Sequence, residues 1–325
     1  MTMKAIRVHE FGGPEKLVLE EVSDPQPSAG EVVVQIKAAG VNPVETYQRS
    51  GSYPVLPKLP WTPGNDGAGI VHSIGSGVKS LKVGDRVYVA GTSTGTYAEY
   101  CLSTEAQLHP LPANVTFQQG AGVGIPYGTA YRALFQRARA LPNEIVLING
   151  ASGAVGLAAV QLARAYGLLV IGTAGSDEGL SLVQKNGAQY AFNHSAPDLS
   201  ERVKTITEIR GQQGPDIILE MLANKNLARD MQLLGRHGRI VVIGNRGSIE
   251  VNPRDIMAKD GAILGMSLPT ASDAEKAAIY SGVGAALEIG VAKPVVAREY
   301  SLHDAPRAHK DILESSSHGK LVLLP

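Results

Sequence analysis

The segment 145–166 constrains the fold of this chain more than any other part of it. Its first four residues are apolar and predict a buried strand, and the residues from about Val155 onward predict a helix. Between them lies a glycine-rich turn, 150–156, which departs from G-x-G-x-x-G because Ala151 stands at the first glycine position. Such a turn brings backbone N–H groups and a helix N-terminus to a pyrophosphate. We therefore expect a bound dinucleotide, and the alternative is a strand–helix turn that binds nothing. The expected pyrophosphate contacts are Ser152, Gly153, Ala154 and Val155.

The bulk composition limits the class of protein. The chain has 325 residues, a length that suits two domains. Hydrophobic residues make up 44% and charged residues 18%, which permits a sizeable core and disfavours disorder. The formal net charge is zero, so no long-range basic field would attract nucleic acid or anionic lipid. A single cysteine, the lack of a signal-peptide pattern and the lack of a run of about 20 apolar residues lead us to expect a cytoplasmic protein.

The order of the predicted elements indicates an α/β chain with two domains. Short strands separated by glycine and proline turns over 1–120 favour a small barrel-like β domain. Strands and helices alternate over 121–269, which predicts a parallel sheet covered on both faces. The tail, 270–325, has β content again and is expected to complete the first domain. The predicted strands are 4–9, 31–38, 68–74, 86–89, 97–102, 145–148, 169–173, 217–220, 240–243, 263–266, 295–300 and 320–324, and the predicted helices are 127–140, 155–166, 199–209, 228–234, 274–289 and 305–313.

Motifs of one family occur at six separate places along the chain. They are 11–15 (FGGPE), 40–47 (GVNPVETY), 124–134 (GIPYGTAYRAL), 150–156 (GASGAVG), 220–224 (EMLAN) and 252–255 (NPRD). Together they resemble the zinc-free quinone oxidoreductase branch of the medium-chain dehydrogenase/reductase superfamily, and within it the zeta-crystallin-like enzymes. The resemblance implies a GroES-like β-rich catalytic domain, 1–120 completed by 270–325, and a Rossmann domain with a doubly wound parallel sheet, 121–269. It also implies a cleft between the domains in which NADPH reduces ortho-quinones, by one electron to semiquinones.

The resemblance raises the question of zinc, which the alcohol dehydrogenases of the same superfamily use. Zinc sites need thiolate or imidazole ligands in tetrahedral sets. One cysteine cannot build a four-cysteine site, and Asn42 stands where the zinc enzymes have a cysteine ligand. Asn65-Asp66 stands where they have His-Glu, and the eight histidines show no paired ligand spacing. We therefore expect a metal-free protein, since reduction of an electrophilic quinone needs less help from a Lewis acid than alcohol oxidation does.

The end of the second strand of the dinucleotide domain indicates which nicotinamide cofactor binds. NAD-specific domains usually carry Asp or Glu there, which binds the ribose 2′-OH. Here the strand runs into Gly175 and Ser176, which leave room for a 2′-phosphate. We expect Asp177 and Glu178 to face solvent at the start of the next helix, where acidic residues are favoured. NADPH is therefore expected over NADH. The resemblance also places His194 beside the adenosine phosphate, and the alternative for it is an exposed loop histidine.

Most candidate active-site residues come from the resemblance. It places Asn42 and Tyr47 at the cleft as catalytic candidates, with Tyr47 also contacting the cofactor. Both side chains can donate hydrogen bonds near a carbonyl oxygen, whereas turn chemistry and packing are their ordinary roles. Thr129 is expected at the nicotinamide half or as a helix cap, and Asn226 is a further inferred contact. Because ligands of doubly wound sheets lie beyond the carboxyl ends of the strands, two more segments are expected to flank the nicotinamide. They are Ile243, Gly244, Asn245 and Arg246, of which Arg246 is otherwise a solvated loop residue, and Met266, Ser267 and Leu268.

Other functions remain compatible with the sequence. Reduction of the C=C bond of an enone or alkenal would use the same fold and cofactor. Zeta-crystallin relatives also include lens structural proteins and proteins that bind AU-rich RNA, although the neutral charge argues against a general nucleic-acid binder. The strand within 261–267 is expected at a sheet edge, where it can pair with a second copy, and the resemblance implies a homo-oligomer, either a dimer or a tetramer. Cys101 has no basic neighbour in sequence and is expected to be a buried inert thiol.

Overall fold

The chain divides into two compact units in the computed structural model, which describes residues 1–314 and 317–325. Unit 1 contains Met1–Ile125 together with Lys293–Pro325, and unit 2 contains Pro126–Ala292. Each unit has its own cluster of buried apolar side chains. None of the helices in the described ranges combines the length and the apolar character that crossing a bilayer requires.

The elements of the first part of unit 1 are mostly strands. They explain the β-rich pattern of the sequence, because apolar residues such as those of the VVVQI run face a buried core. The strands are β1 (Thr2–Arg7), β2 (Val18–Ser23), β3 (Glu31–Val41), β4 (Asp66–Ile74), β5 (Arg86–Ala90), β6 (Tyr100–Thr104) and β7 (Leu108–Pro110), and the helices are α1 (Pro43–Ser50) and α2 (Phe117–Gly120).

The elements of unit 2 alternate between helix and strand, as the sequence predicts. Helix α3 (Gly124–Tyr131) starts at the unit boundary and continues as a π-helix, Arg132–Arg137, so the single predicted helix 127–140 has two different windings. The remaining elements are β8 (Ile145–Ile148), α4 (Ala154–Ala165), β9 (Leu169–Ala174), α5 (Asp177–Lys185), β10 (Tyr190–Asn193), α6 (Leu199–Ile209), β11 (Ile217–Glu220), α7 (Ala223–Leu233), β12 (Arg239–Val242), α8 (Pro253–Met257), β13 (Ala262–Gly265) and α9 (Asp273–Glu288).

The segment 270–292 belongs to unit 2, whereas the sequence analysis assigned it to the tail of the first domain. Its helix α9 buries Ile279, Val283 and Leu287. A methyl group on Gly282 would lie 2.5 Å from the ring of Tyr131, so the two helices pack closely. The apolar face of α9 is therefore covered within unit 2, a contact that the periodicity of the sequence does not reveal.

The tail of the chain returns to the sheet of unit 1. It contains β14 (Val296–Ser301), α10 (Ala305–Glu314) and β15 (Lys320–Leu324), and the sheet order is β14-β15-β3-β4-β5-β7, with β6 also paired to β3. The register places Leu321 of β15 opposite Val41 of β3, and Gly40 opposite Asp66 of β4. The start of β15, the end of β3 and the start of β4 therefore meet at one end of the sheet.

The sheet of unit 2 has the order β10-β9-β8-β11-β12-β13, and all of its pairs are parallel. This is the doubly wound order 3-2-1-4-5-6, in which a ligand crevice forms where the order reverses, here between β8 and β11. β13 is one of the two edge strands, as predicted, and Ile263 is exposed on it. The sequence analysis did not predict β2, β7 or β10, which are short or half-exposed and lack a continuous apolar pattern.

Candidate functional site

The predicted strand, glycine-rich turn and helix are present in unit 2, with α4 beginning at Ala154 rather than Val155. Gly150 has a φ of 67°, a conformation that favours glycine. A Cβ on Gly156 would lie 2.5 Å from the carbonyl oxygen of Gly150, so only glycine lets the turn close against the helix. Gly153 provides no side-chain cap for α4, and the first turn of the helix holds no acidic residue. The helix N-terminus, with all four predicted pyrophosphate contacts, is therefore suited to an anionic group.

The predicted 2′-phosphate residues meet at the end of β9. Ser176 caps α5 through its Oγ, which accepts from the N–H of Gly179 at 3.1 Å. The exposed His194 lies against Gly175, since a Cβ there would be 2.9 Å from its Cε1 atom. Asp177 and Glu178 are exposed in the first turn of α5, as expected.

A cavity of about 300 Å³ opens beside this strand end. It lies at the carboxyl ends of β8, β9 and β11, where the strand order reverses, and it adjoins both the glycine-rich turn and His194. Its position and volume suit the adenosine half of a dinucleotide. The lining residues are Asn149, Gly150, Thr173, His194, Glu220, Met221, Leu222, Lys225 and Asn226.

Two buried carboxyl groups lie under this cavity. The Nδ2 of Asn149 donates to Glu220 Oε2 at 2.6 Å and to Asp230 Oδ1 at 3.1 Å. Burial, together with the hydrogen bond and the charge of Glu220, raises the pKa of Asp230 far above its ordinary value. The pair therefore holds a proton at neutral pH. Glu220 Oε1 also accepts from the backbone N–H of Leu222 and, at 3.1 Å, from Nδ2 of Asn226. Asn226, which is a predicted cofactor contact, is therefore hydrogen-bonded to a residue that lines the cavity.

The predicted segments after β12 and β13 lie along the same edge of the sheet. The N–H of Ile243 donates to the Glu220 carbonyl at 2.9 Å, and a Cβ on Gly244 would lie 2.2 Å from the carbonyl oxygen of Met221, so the two strand ends are in close contact. Arg246 is exposed, and its N–H donates to Asn224 Oδ1 at 3.0 Å. The exposed Asn245 donates from Nδ2 to the carbonyl of the residue two positions later at 2.7 Å.

The helix that carries Thr129 and the segment after β13 approach each other at Gly128. A Cβ on Gly128 would lie 3.2 Å from Leu268 Cδ2, and Thr129 follows Gly128 in α3 with only 5% of its surface exposed. The N–H of Met266 donates to the carbonyl of Val242 at 3.0 Å, and the next residue, Ser267, begins a short 3₁₀ helix. All of the residues expected to contact the cofactor belong to unit 2, except Tyr47, which belongs to unit 1.

A second polar cluster lies in unit 1, where β3, β4 and β15 meet. The Nζ of Lys320 donates to Asp66 Oδ2 at 2.7 Å and to Asn42 Oδ1 at 2.5 Å. The Nδ2 of Asn42 donates to Asp66 Oδ2 at 3.1 Å and to Glu45 Oε1 at 3.2 Å. Lys320 is 2% exposed and Asp66 is fully buried, so this ion pair is shielded from water. Both amide hydrogens of Asn42 are used inside the cluster, which leaves none for the predicted donation to a substrate carbonyl.

Glu45 completes this cluster from the first turn of α1. Its Oε2 accepts from the N–H of Asn42 at 2.5 Å, and its Oε1 accepts from the N–H and the Nδ2 of Asn65 at 3.2 and 3.1 Å. Burial raises the pKa of Glu45 to about 7, and the charge of Lys320 partly opposes that rise. Tyr47 is half-buried one residue beyond the buried Thr46, so the cluster anchors the helix that carries it.

Cys101 is the single cysteine, and the structure agrees with an inert role. Its side chain is fully buried, and Sγ lies 3.8 Å from Ser103 Oγ. Burial raises the pKa of this thiol to about 11, so the reactive thiolate is scarce at neutral pH.

Sequence reasoning missed the central members of both clusters, which are Glu45, Lys320, Asn149, Glu220 and Asp230. A local signal does exist for two of them. Lys320 opens the apolar run KLVLL and Glu220 closes the apolar run IILE, and a charged residue next to a buried strand requires a partner. The identity of that partner depends on the register of distant strands.

Two family models match the chain. The one described as alcohol dehydrogenase GroES-like domain matches residues 28–113, and the one described as zinc-binding dehydrogenase matches residues 154–280. The quinone oxidoreductase of Rattus norvegicus is 52% identical over 324 residues, which are 99% of this chain and 98% of that protein. The quinone oxidoreductase of Homo sapiens is 47% identical with the same coverage. The crystal structure of Escherichia coli quinone oxidoreductase complexed with NADPH has a TM-score of 0.89 at 33% identity, and it covers 99% of this chain and 100% of that one.

One of these descriptions names zinc, and the residues of unit 1 do not fit that metal. Zinc is held by thiolates, imidazoles and some carboxylates in tetrahedral sets. The cluster around Asp66 offers amide and carboxylate oxygens, and the ammonium of Lys320 already lies among them. Across the described ranges, no group of three or more His, Cys, Asp or Glu side chains is arranged to hold a metal ion. The donor chemistry of this cluster suits an ammonium and not zinc.

Proposed function

Because the chain belongs to the quinone oxidoreductase branch of the medium-chain dehydrogenase/reductase superfamily, we propose that it is an NADPH-dependent quinone reductase. The observation that carries this proposal is the high identity to curated quinone oxidoreductases along almost the whole chain. The dinucleotide crevice of unit 2 supports it independently, because its turn, cavity and strand ends suit such a cofactor.

We assign the binding of NADPH to the residues along the carboxyl edge of the unit 2 sheet. The first turn of α4 holds the pyrophosphate, and the cavity over Glu220 holds the adenosine. We assign the 2′-phosphate to Ser176 and His194, which lie together at the end of β9 with no carboxylate at either position. Bound NADPH supplies the hydride or electrons for reduction, and the protein orients it and excludes water. Thr129 and Leu268, with the segments after β12 and β13, are assigned to the nicotinamide half.

In unit 1 we assign Tyr47 to contact with the cofactor or substrate, and Asn42 to the support of α1. This revises the catalytic role expected of Asn42, whose amide hydrogens are held by Glu45 and Asp66. Reduction of a quinone requires no covalent catalyst, so Tyr47 needs only to orient a carbonyl oxygen.

A specific-activity panel tests the proposed activity. Oxidation of NADPH is measured with ortho-quinones, para-quinones, enones and alkenals under the same conditions. The expected result is turnover with ortho-quinones such as phenanthrenequinone, and preferential turnover of alkenals would contradict it. One-electron reduction to the semiquinone is the finer proposal. Superoxide-sensitive reduction of cytochrome c during turnover would support it, and a strict two-electron stoichiometry would refute it.

A single substitution tests the cofactor preference. We expect NADPH to bind at least about tenfold more tightly than NADH, a difference of roughly 1.4 kcal/mol. Ser176→Asp places a carboxylate at the end of β9 and retains a good helix cap, so it should reverse the preference without unfolding α5. Asp177→Asn alters an exposed neighbour in the same turn and serves as the control. Equal affinities of the wild type in a fluorescence titration would contradict the assignment.

We further propose a homo-oligomer that forms through β13 and a cytoplasmic location. β13 is an edge strand with an exposed isoleucine, which suits pairing with a second copy. A single buried cysteine suits a reducing compartment. Light scattering of the wild type and of Ile263→Lys tests the assembly, and an unchanged mass of the variant would exclude β13 as the interface.

A further inference from the structure

Four N–H donors converge on the carboxylate of Glu45. Two of them belong to Asn42, its backbone N–H and its Nδ2, and two belong to Asn65. Glu45 is fully buried, and both of its carboxylate oxygens accept hydrogen bonds from these protein groups. A carboxylate with only donors around it is arranged for the charged form.

Protonation of Glu45 weakens this arrangement. A proton on Oε1 would compete with its three donors, and a proton on Oε2, which accepts one N–H, would remove the negative charge that strengthens the bond from Asn42. The hydrogen bonds that hold Asn42 are therefore weaker when Glu45 is neutral. Since Asn42 caps α1 and also accepts from Lys320, the change reaches the start of the helix that carries Tyr47.

The charges around Glu45 come from several elements. Lys320 of β15 attracts its negative charge, and Asp66 of β4 repels it. With Glu45 protonated, the cluster of the three residues is neutral, and with Glu45 ionised it carries one negative charge. Other titratable groups near α1 include Tyr97 before β6, Arg49 of α1 itself, His309 of α10 and Glu15 of the 3₁₀ helix Pro14–Lys16, and these two elements also carry Lys16, Arg307, Lys310, Asp311 and Glu314.

We propose that Glu45 is a proton-linked positioning residue, whose ionised form fixes Asn42 and the start of α1 and so holds Tyr47 in the geometry that quinone reduction requires. The inference rests on the proposed function for its catalytic consequence, and on hydrogen-bond geometry for its structural one. Lys320 takes part as the internal cation that keeps an ionised pair of carboxylates bound in the core. The raised pKa of Glu45, about 7, places the change near neutral pH.

The pH dependence of kcat/KM for the quinone tests this inference, because it reports groups that titrate in the free enzyme. The wild type should show a limb that rises with pH and has its midpoint near 7. Glu45→Gln retains the size of the side chain but brings an N–H₂ group against the N–H of Asn42. It should lower kcat/KM by about tenfold and abolish the limb, while the Kd for NADPH remains unchanged. A Glu45→Gln enzyme that retains the limb would overturn the proposal.

Two further variants should move the midpoint in opposite directions. Lys320→Met removes the attraction and should shift it to higher pH, whereas Asp66→Asn removes the repulsion and should shift it to lower pH. A residue that serves only to stabilise the fold would lower activity without these opposed shifts. The matched control is Glu105→Gln, because Glu105 also accepts from several groups of a turn in unit 1, the N–H groups of Lys79 and Ser80 and the hydroxyl of Ser80, but has a lowered pKa. It should leave the midpoint in place.

A measurement on the wild type alone covers the case in which a variant does not fold. Amide hydrogen exchange of the peptide that contains Asn42 and α1 is measured at about pH 6 and about pH 8 and corrected for the intrinsic rates. Relative to the protection of the β3 and β4 amides of the same unit, which follow the global change in stability, protection of this peptide should be greater at the higher pH, and equal relative protection at the two pH values would overturn the proposal. This measurement needs no turnover, so it separates failure of the inference from failure of the proposed activity.

Discussion

Units 1 and 2 each bury two carboxyl groups beside an asparagine, yet they neutralise them differently. In unit 1, Asn42 donates from Nδ2 to both Glu45 and Asp66, and Lys320 binds between Asp66 and Asn42. In unit 2, Asn149 donates from Nδ2 to both Glu220 and Asp230. No lysine or arginine of the described ranges forms an ion pair with either of those two carboxyl groups.

The difference shows that a buried pair of carboxyl groups can be stabilised by an ammonium or by a shared proton. A charge without a partner is costly in a core, so a cation must be present or a proton must be retained. In unit 1 the chain brings Lys320 from its last strand. In unit 2 the pair retains a proton beneath a cavity, where an added cation would alter the charge presented to a cofactor.

The largest expected effect is that of Lys320→Met. Removal of the ammonium leaves the buried charge of Asp66 without a cation, with only its N–H donors, and takes away the donor to Oδ1 of Asn42, so the free energy of unfolding should fall by about 3 to 5 kcal/mol. Lys310→Met is the control, because Lys310 forms an exposed pair with Glu314 in α10 that contributes only about 0.3 to 0.5 kcal/mol. Urea denaturation at neutral pH measures both. A loss no greater than that of the control would mean that the ammonium is not required.

The part of the stability that is linked to Glu45 should decrease as pH rises. The pKa of Glu45 is about 7 in the folded protein and near its ordinary value of 4.5 in the unfolded chain. The stability linked to its proton is therefore fully present below about pH 4.5 and is lost as pH rises through about 7, by up to about 3 kcal/mol. Urea denaturation of the wild type and of Glu45→Gln across this range measures this part as the difference between their slopes, because the buried His109 and His309, whose pKa values are lowered, contribute a slope of the opposite sign in both proteins. A difference of the opposite sign would contradict the burial of a protonated Glu45.

The same Asp→Asn substitution should give unequal results in the two units. Asp66→Asn removes the charge that pairs with Lys320 and should cost about 1.5 to 3 kcal/mol at neutral pH. Asp230→Asn replaces a protonated carboxyl group by an amide that can still donate to Glu220, so it should change stability by much less. It should also reduce the loss of stability above neutral pH. Equal losses of unfolding free energy for the two substitutions would mean that the two carboxyl pairs are not stabilised in different ways.

The smallest expected effect on stability is that of Asn226→Ala. Its Nδ2 donates to Glu220 Oε1 at 3.1 Å, but the residue is half-exposed and water can replace it, so the cost should be about 0.5 to 1.5 kcal/mol. As a residue that lines the cavity, it should weaken NADPH binding in a fluorescence titration. Unchanged binding would remove Asn226 from the set of assigned contacts.

Much of unit 2 could be predicted because its signals are local. The apolar run at 145–148 gives a strand of the same bounds, and the glycine turn after it forms as expected. The end of β9 holds Gly175, Ser176 and His194 together, as the sequence suggested. The role of Asn42 could not be predicted in this way. From sequence its amide could donate to a substrate, and only the tertiary structure shows that Glu45, Asp66 and Lys320 already bind it.

The sequence by itself determined the alternation of strands and helices, the glycine-rich turn and the absence of a carboxylate at the tip of β9. Each of these depends on residues that are neighbours along the chain, so propensity and periodicity are sufficient. The two carboxyl clusters were decided only by the tertiary structure. Lys320 lies 278 positions from Asn42, and Glu220 lies 71 positions from Asn149. The register of β15 on β3 and the order of β8 beside β11 bring these side chains together, and strand pairing at such separations follows from the packing of the whole core.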